Sequence, residues 1–414
     1  MKLDVPRGRT FQISPALALF IVLFLGTLVR LWISYKHYGT FDVNSWEKIF
    51  HYWQDGRTPY DAERRYAYTP VWFWILSVFS VINSVARFPD HFMIKMPLIL
   101  ADLGIVWLLW KQADRMGLTI KEKLVAVIFF FLNPVSFLCT SYLGQFDNLA
   151  YAFVLAACIS EYSGTKRKAS VTFLLLAAAF MVKQSILLIV PLFAFRQKTW
   201  RQKAFFLMMV PLPSLLTLIP YLATDFHTVY QSVILDSMKL RLLPYVWGWT
   251  VVANHAWVLL FHSILSQSSF QEWVARYNLF LYPLLFITAY YLAKFYDLVE
   301  AVILYLLIFY AFTTILAPQY AVWILPFAAL RRDKMLLVYS AVTTATYLVF
   351  FEWHAQYCLG NMIEERRMAP LLASMNMLSW AVVVAWLISK RKTLTNVQPR
   401  GAPQGENRLS ENPA

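Results

Sequence analysis

Three charged side chains in largely apolar surroundings have the chemistry that a transfer or binding site needs. Asp42 follows the first apolar run by eight residues, and a partly buried carboxylate there could serve as a general base toward a hydroxyl group. Asp147 ends the stretch 144–147, and Lys183 lies between two apolar half-length segments. Such a cation needs an anionic partner, and a phosphate group would provide one. These residue types would suit a carboxylate base and, separately, an ammonium that binds phosphate.

Each of the three residues also has a structural interpretation. Asp42 could be the N-cap of a helix over residues 43–55, and Asp147 could cap the helix that follows it. The long side chain of Lys183 could extend to the lipid headgroups. Local sequence does not decide between these interpretations and the functional ones.

The composition of the chain predicts an integral membrane protein. Of its 414 residues, 59% are hydrophobic and only 14% are charged, whereas a soluble domain carries roughly a quarter charged residues. The formal net charge is +14, but the basic residues form short clusters between apolar runs, which argues against a nucleic-acid partner. The three cysteines have no spacing typical of a metal site. A water-soluble catalytic domain is excluded.

A threading that keeps the Lys and Arg clusters in the cytoplasm predicts the topology. We expect an all-α polytopic protein of about 12 transmembrane or half-membrane helices within one domain, residues 1–392. The first external loop, 35–91, is expected to carry a juxtamembrane helix at 69–86, and a second external region covers 224–276. Residues 393–414 are rich in Pro, Gly, Asn and Gln, which predicts a disordered cytoplasmic tail.

One stretch of this threading predicts a broken helix. The chain must cross outward and return between the basic clusters at 166–168 and 196–203, with about 26 apolar residues between them, too few for two full spans. Two half-length helices that meet near Lys183 and Gln184 would satisfy the threading. Broken helices at membrane depth are tolerated where they line a cavity, so the break is a sign of a site.

Several motifs resemble those of a known family, the GT-C mannosyltransferases that add the first mannose of GPI anchors. The strongest likeness is in the first loop, where Asp42 precedes a Gly-Arg-Thr-Pro-Tyr turn at 56–60 and a Tyr-Ala-Tyr-Thr-Pro segment at 66–70. Weaker likenesses, some of them to bacterial polyprenyl-phosphate-mannose-dependent mannosyltransferases, occur at 132–134, 144–147, 182–184 and 318–326.

The resemblance implies a GT-C-like fold and an inverting glycosyl transfer, of mannose in this family, from a polyprenyl-phosphate sugar to a lipid-linked or glycan acceptor. Asp42 would be the general base, and Lys183 with Arg64 or Arg65 would stabilise the leaving phosphate. Asp147 and Gln145 would orient hydroxyl groups. The other residues expected to bind donor or acceptor are Asn44, Tyr68, Gln184, Gln319 and Tyr320.

The first loop departs from the family at one position. The family has Asp-x-Asp where this chain reads Thr40-Phe41-Asp42, so a metal site on paired carboxylates is doubtful. Asn44 and Glu47 are oxygen-bearing side chains that could contribute to a divalent metal site. No other cofactor is expected.

The main alternative in another class is a flippase or transporter of lipid-linked sugars. It would need polar residues along a central path, and Asp102, inside a predicted span, is the one exception to a pattern of charges near the outer helix ends. A polymerase of lipid-linked oligosaccharides is a third option. The chain has no Asn-x-Ser/Thr sequon with a permitted middle residue, which fits a bacterial plasma membrane with both termini cytoplasmic and the active site on the periplasmic face.

Overall fold

The computed structural model describes residues 14–61, 66–162, 168–235, 249, 267–314, 316–355 and 365–391. Within these ranges the regular secondary structure is helical, with no β-strand, and turns connect the helices. The predicted disordered tail and most of the second external region lie outside the described residues.

The first twelve helices are α1 (Pro15–Lys36), α2 (Phe41–Phe50), α3 (Val71–Ala86), α4 (Asp90–Arg115), α5 (Ile120–Phe131), α6 (Pro134–Phe137), α7 (Asp147–Glu161), α8 (Lys168–Val182), α9 (Val190–Ala194), α10 (Trp200–Met209), α11 (Leu212–Thr224) and α12 (Phe226–Val229). The remaining five are α13 (Gln267–Phe295), α14 (Leu298–Phe312), α15 (Leu325–Arg331), α16 (Met335–Ala355) and α17 (Glu365–Ser389).

Five helical segments of the described chain are long and apolar enough to cross a membrane. They are Pro15–Lys36, Asp90–Arg115, Trp200–Thr224, Arg276–Phe295 and Leu371–Ser389. A sixth is possible if α5 and the segment Pro134–Tyr142, bent by 44°, form one broken span. These helices identify a multi-pass membrane protein.

Of the expected 12 or so transmembrane or half-membrane helices, five or six in the described residues are long enough to be full spans. Three apolar helices have only 15 or 16 residues: Val71–Ala86, expected as a juxtamembrane helix, Lys168–Val182, expected as a half-length helix, and Leu298–Phe312. At 1.5 Å per residue such helices fall short of a hydrocarbon core of about 30 Å.

Two breaks in the helices have clear local causes. At the first, Asn133 precedes Pro134, and proline disfavours helical backbone in the residue before it; the Asn133 side chain then caps the next helix by accepting from Val135 N at 3.0 Å. The second break is the predicted one. Helix α8 ends at Val182, Lys183 is extended with φ −148° and ψ 120°, and a 3₁₀ turn over Gln184–Leu188 leads to α9.

The basic loops that the threading placed on one side of the membrane do meet at one end of the molecule. Arg332, which follows α15, donates to Glu122 in the first turn of α5. Lys390 Nζ, after α17, lies 2.8 Å from Asp333 Oδ2 and 3.0 Å from Glu300 Oε1 of α14. The relative direction of these helices therefore agrees with the threading.

Helix α14 forms the centre of the bundle. Thirteen of its 15 residues are buried, and it packs against α9, α13, α15 and α17. A helix that is apolar all round is typical of a protein core or of a membrane span, and the burial of α14 places it in the core of this bundle.

Candidate functional site

A buried ion pair joins the break after α8 to the start of α7. Asp147 begins α7 and is fully buried, and its Oδ2 accepts from Lys183 Nζ at 2.5 Å. Its other oxygen, Oδ1, accepts from Trp323 Nε1, also at 2.5 Å. The extended backbone at Lys183 places this side chain at the break between α8 and the 3₁₀ turn.

This geometry replaces two of the structural interpretations. The Asp147 carboxylate binds side chains from distant parts of the chain and is not a helix cap. Lys183 is 4% exposed and so does not extend to the headgroups. The anionic partner that its charge requires is Asp147.

Aromatic rings surround the Lys183 ammonium. Its Nζ lies 5.1 Å from the centroid of the Phe146 ring and 5.7 Å from that of Tyr320. A cation near an aromatic face is stabilised by the ring quadrupole. The rings and Asp147 together hold the ammonium in a fixed position.

Asp42 lies beside this ion pair and binds Gln145. Thr40 is the N-cap of α2, so Asp42 is in the first turn and is not itself the cap. Its Oδ2 accepts a hydrogen bond from Gln145 Nε2. Burial raises the pKa of the Asp42 carboxyl to about 6; Lys183 opposes this effect and Asp147 adds to it. Asp42, Asp147 and Lys183 therefore form one electrostatic unit.

Two glycines allow Asp42 to reach Gln145. Gly39 and Gly144 have φ angles of +105° and +67°, which favour glycine. A Cβ atom at Gly144 would lie 2.6 Å from Val43 Cγ2, and one at Gly39 would lie 2.4 Å from the Tyr142 carbonyl oxygen. The start of α2 thus packs directly on the backbone of the turn that carries Gln145.

The first loop forms an aromatic wall over the ion pair. Trp72 stacks on Phe146 with 4.7 Å between ring centroids, and Tyr68 contacts the same ring edge-on at 4.9 Å. Thr69 Oγ1 donates to the Met181 carbonyl at 2.5 Å, which satisfies an acceptor at the end of α8 that the break leaves open. The loop is therefore fixed both to the site and to the broken helix.

Several polar atoms around the site are buried without a hydrogen-bond partner among the described residues. These atoms are Thr40 Oγ1, Trp46 Nε1, Trp72 Nε1, Gln145 Oε1, Gln184 Nε2 and Ser185 Oγ. A buried unpaired polar group costs about 1–3 kcal/mol, and ligand-binding sites commonly contain such groups. The arrangement can bind a polar ligand by both donors and acceptors.

The structure thus brings Asp42, Gln145, Asp147 and Lys183 together, with the half-buried Tyr68 and Tyr320 beside them. The remaining predicted residues are placed less centrally or lie outside the description. Gln184 and Gln319 are half-buried, and Asn44 is exposed on α2. Arg64 and Arg65 lie outside the described residues.

A metal site has no support in the described chain. Within it, no group of three or more His, Cys, Asp or Glu side chains is arranged to hold a metal ion. Glu47, named with Asn44 as a source of oxygen ligands, accepts a hydrogen bond from the Tyr38 hydroxyl.

Three residues of the site were not predicted as functional. Trp323 binds Asp147, Phe146 faces the ammonium, and Trp72 stacks on Phe146. The first two lie within motifs used for the family resemblance, but an aromatic residue in an apolar run is usually core. No local signal separates these rings from the many others in the chain.

Comparison with known proteins gives one family match. A family model described as GPI transamidase subunit PIG-U matches residues 13–243, which is more than half of the chain. No curated protein matches the sequence. The GPI-related part of the resemblance is confirmed. The prediction of a glycosyltransferase is wrong, because the matched family is described as a transamidase subunit.

Proposed function

Because this chain belongs to the family of the GPI transamidase subunit PIG-U, we propose that it is a membrane-embedded, non-catalytic subunit of such a transamidase. Within that complex it binds the head of a lipid-linked glycan. The observation that supports this proposal most is that Asp42, Gln145, Asp147 and Lys183 lie together under the aromatic wall that includes Trp72 and Phe146. Polar groups joined by aromatic faces are typical of sites that bind glycans.

The charges of the site support binding over transfer. Leaving-group stabilisation requires positive charge that is available to a departing phosphate. The Lys183 ammonium is instead held by Asp147 at 2.5 Å. The Asp42 carboxylate accepts from Gln145, an amide that fixes its orientation and takes no proton from it. The ion pair thus has the character of a structural element.

A lipid-linked ligand is supported by the location of the site among helices of the membrane domain. Helix α8 and the bent α5–α6 segment are discontinuous at Lys183 and Asn133. Discontinuous helices within a membrane are tolerated where they face protein or a cavity. The polyprenyl-phosphate sugar and the acceptor named from sequence are replaced by this broader class, a glycan on a lipid.

The orientation that we propose keeps both termini in the cytoplasm and the site toward the opposite face. Its support is that the basic residues Arg332 and Lys390 lie at one end of the molecule, since clusters of Lys and Arg favour the cytoplasmic side. Asp55 and Lys198 are exposed residues on the two sides in this orientation. With Asp55→Cys, an impermeant maleimide should react from outside, whereas Lys198→Cys should react only after permeabilisation. The reverse pattern would contradict the orientation.

Photocrosslinking tests the proposed function. The intact complex, isolated with tagged full-length chain, is incubated with a GPI-type glycolipid that carries a diazirine in its lipid. The chain should be labelled, and unlabelled glycolipid should compete. The double variant Asp147→Asn with Lys183→Met should lower labelling about tenfold or more, because it removes two groups of the site; Asp55→Asn, an exposed change in the first loop, should not.

A second measurement addresses the corrected activity. The isolated chain is supplied with polyprenyl-phosphate mannose and with candidate glycan acceptors, and we expect no sugar transfer. Asp42-dependent transfer would contradict the proposal, as would the absence of the chain from the isolated transamidase.

A further inference from the structure

One buried carboxylate, that of Asp102, holds both ends of the segment 141–147, which carries two residues of the site. Asp102 Oδ2 accepts from Thr140 Oγ1 at 2.9 Å, and Asp102 Oδ1 accepts from Asn148 Nδ2 at 2.5 Å. Thr140 comes directly before the segment, and Asn148 comes directly after it as the second residue of α7. The two hydrogen bonds therefore fix the segment from both sides.

The segment has few restraints of its own. Residues 143–146 belong to no helix, and Gly144 among them has a φ of +67°. Phe146, the N-cap of α7, makes no side-chain capping hydrogen bond. The position of this segment therefore depends on contacts from elsewhere in the chain, and Asp102 binds the residues on each side of it.

Asp102 has the surroundings of an anchor. It lies near the middle of α4, a 26-residue helix that packs against α1, α2, α3, α5 and α7. Arg30 Nε binds Asp102 Oδ2 at 2.8 Å, so the buried carboxylate has a counter-ion. Hydrogen bonds to a charged acceptor are stronger than those between neutral groups. Asp102 thus holds the segment by two charge-assisted hydrogen bonds from a long, well-packed helix.

The same helix also holds the other half of the site. Lys95 lies about two helical turns before Asp102, on the same face of α4. Its fully buried ammonium donates to the His37 carbonyl at 2.7 Å, and His37 leads into α2, which carries Asp42. Helix α4 therefore contacts both of the segments that meet where Asp42 accepts from Gln145.

We propose that Asp102 is a positioning residue of the candidate site, which holds the segment so that Gln145 meets Asp42 and Asp147 meets Lys183. This inference rests on the proposed function, because it assigns a further residue to binding at the same site. Asp102 acts through Gln145 and Asp147 and does not itself touch the ligand. A purely structural Asp102 would stabilise the fold and leave ligand binding by the folded protein unchanged.

Photolabelling of folded variants tests this role. Thr140→Val and Asn148→Ala each remove one of the two hydrogen bonds that fix the segment. Each should lower labelling of the intact complex by the photoreactive glycolipid about 3- to 10-fold, at a temperature at which the variant is folded. Thr140→Ser keeps the hydroxyl and should be labelled like the wild type. Wild-type labelling of either Thr140→Val or Asn148→Ala would overturn the proposal.

Ser136→Ala is the matched control. It removes a hydrogen bond that Arg30 makes at 3.0 Å in the same network but outside the segment. The Thr140 hydroxyl also lies 3.1 Å from the Ser136 carbonyl oxygen, which this variant keeps. Ser136→Ala should therefore be labelled like the wild type. A loss of labelling as large as that in Thr140→Val would show general destabilisation and would overturn the proposal.

A double-mutant cycle tests the positioning without ligand. If Asn148 holds Asp147 in place for Lys183, Asn148→Ala should raise the equilibrium constant of unfolding in detergent less in the Lys183→Met background than in the wild-type chain, by about fivefold. Ser136→Ala should act equally in both backgrounds, within about twofold. Equal effects of Asn148→Ala in the two backgrounds would overturn the proposal.

The outcomes separate this inference from the proposed function. A wild-type complex that the glycolipid does not label would overturn the proposed function, and the cycle would still decide whether Asp102 positions the ion pair. A labelled wild type with additive effects in the cycle would overturn this inference alone.

Discussion

Arg30 Nε lies 2.8 Å from Asp102 Oδ2, and both side chains are completely buried between α1 and α4. The rest of the guanidinium donates to the Phe131 carbonyl at 2.6 Å and to Ser136 Oγ at 3.0 Å. Asp102, the intramembrane charge that would have favoured a transport path, is therefore the partner of an arginine. Its position supports a structural role that ties α1 and α4 to the break between α5 and α6.

We predict that breaking this pair strongly destabilises the protein. Arg30→Met leaves the Asp102 carboxylate buried without its cation, which should lower the free energy of unfolding by about 3–5 kcal/mol. Thermal unfolding in detergent measures the change. The double variant Arg30→Met with Asp102→Leu should lose less than the sum of the single changes, by about 1–3 kcal/mol. The ion pair of Asp114 with Lys123, in which Asp114 is exposed, provides the control. Asp114→Asn should change the free energy of unfolding by less than about 0.5 kcal/mol.

The ion pair of the site is expected to behave in the same way. Lys183→Met leaves Asp147 fully buried beside Trp323 without a cation, so the free energy of unfolding should fall by about 3–5 kcal/mol. Adding Asp147→Asn removes the unpaired charge and should restore part of the loss. A lysine that served only to bind ligand phosphate would give a different result, with Lys183→Met as stable as the wild type.

The broken helix at Lys183 could be predicted because it follows from arithmetic along the chain, namely the number of apolar residues between two basic clusters. The partner of Lys183 could not. Asp147 is 36 residues away and Trp323 lies 176 residues from Asp147, and a single sequence contains no information on such contacts. The same holds for Arg30 and Asp102, 72 residues apart.

The difference between an enzyme and a binding subunit was also out of reach of the motifs. Asp42 and Lys183 occur in the family-like segments whichever role the site has. The family match overturns the glycosyltransferase prediction, and the motifs do not show contacts such as that of Lys183 with Asp147 at 2.5 Å. The number of full spans was also out of reach, because an apolar run can form a helix such as Leu298–Phe312, whose 15 residues are too few to cross a bilayer.

Gly144 provides a test of how closely α2 must approach the turn at Gln145. Gly144→Ala introduces a Cβ 2.6 Å from Val43 Cγ2, so we expect the start of α2 to shift and ligand binding at Asp42 to weaken. Gly56→Ala is a matched control. Gly56 has nearly the same φ, +65°, but no atom lies within 4 Å of its added Cβ, so this variant reports the backbone cost alone, about 1 kcal/mol.

Relief of the contact should rescue the first variant. In Gly144→Ala with Val43→Ala, binding should recover toward the wild-type value, although the cost of the positive φ remains. Gly144→Ala with unchanged binding and a stability equal to that of Gly56→Ala would show that the close approach is not needed.

The carboxyl of Asp42 should make stability depend on pH. Burial raises its pKa from 3.8 to about 6 in the folded protein, whereas in the unfolded chain it stays near its ordinary value. Between these two pH values the folded state holds a proton that the unfolded state releases, so raising the pH through this window lowers the free energy of unfolding. Above the folded pKa the loss is complete and amounts to at most about 3 kcal/mol.

Asp42→Asn lacks this titration and isolates it. The difference in thermal midpoint between Asp42→Asn and the wild type should grow in favour of the variant as the pH rises from about 4 to about 7. Asp55→Asn, in which an exposed carboxyl of the same loop is changed, should show no such trend. If the difference for Asp42→Asn is constant across this range, the Asp42 carboxyl is not in the buried environment that raises its pKa.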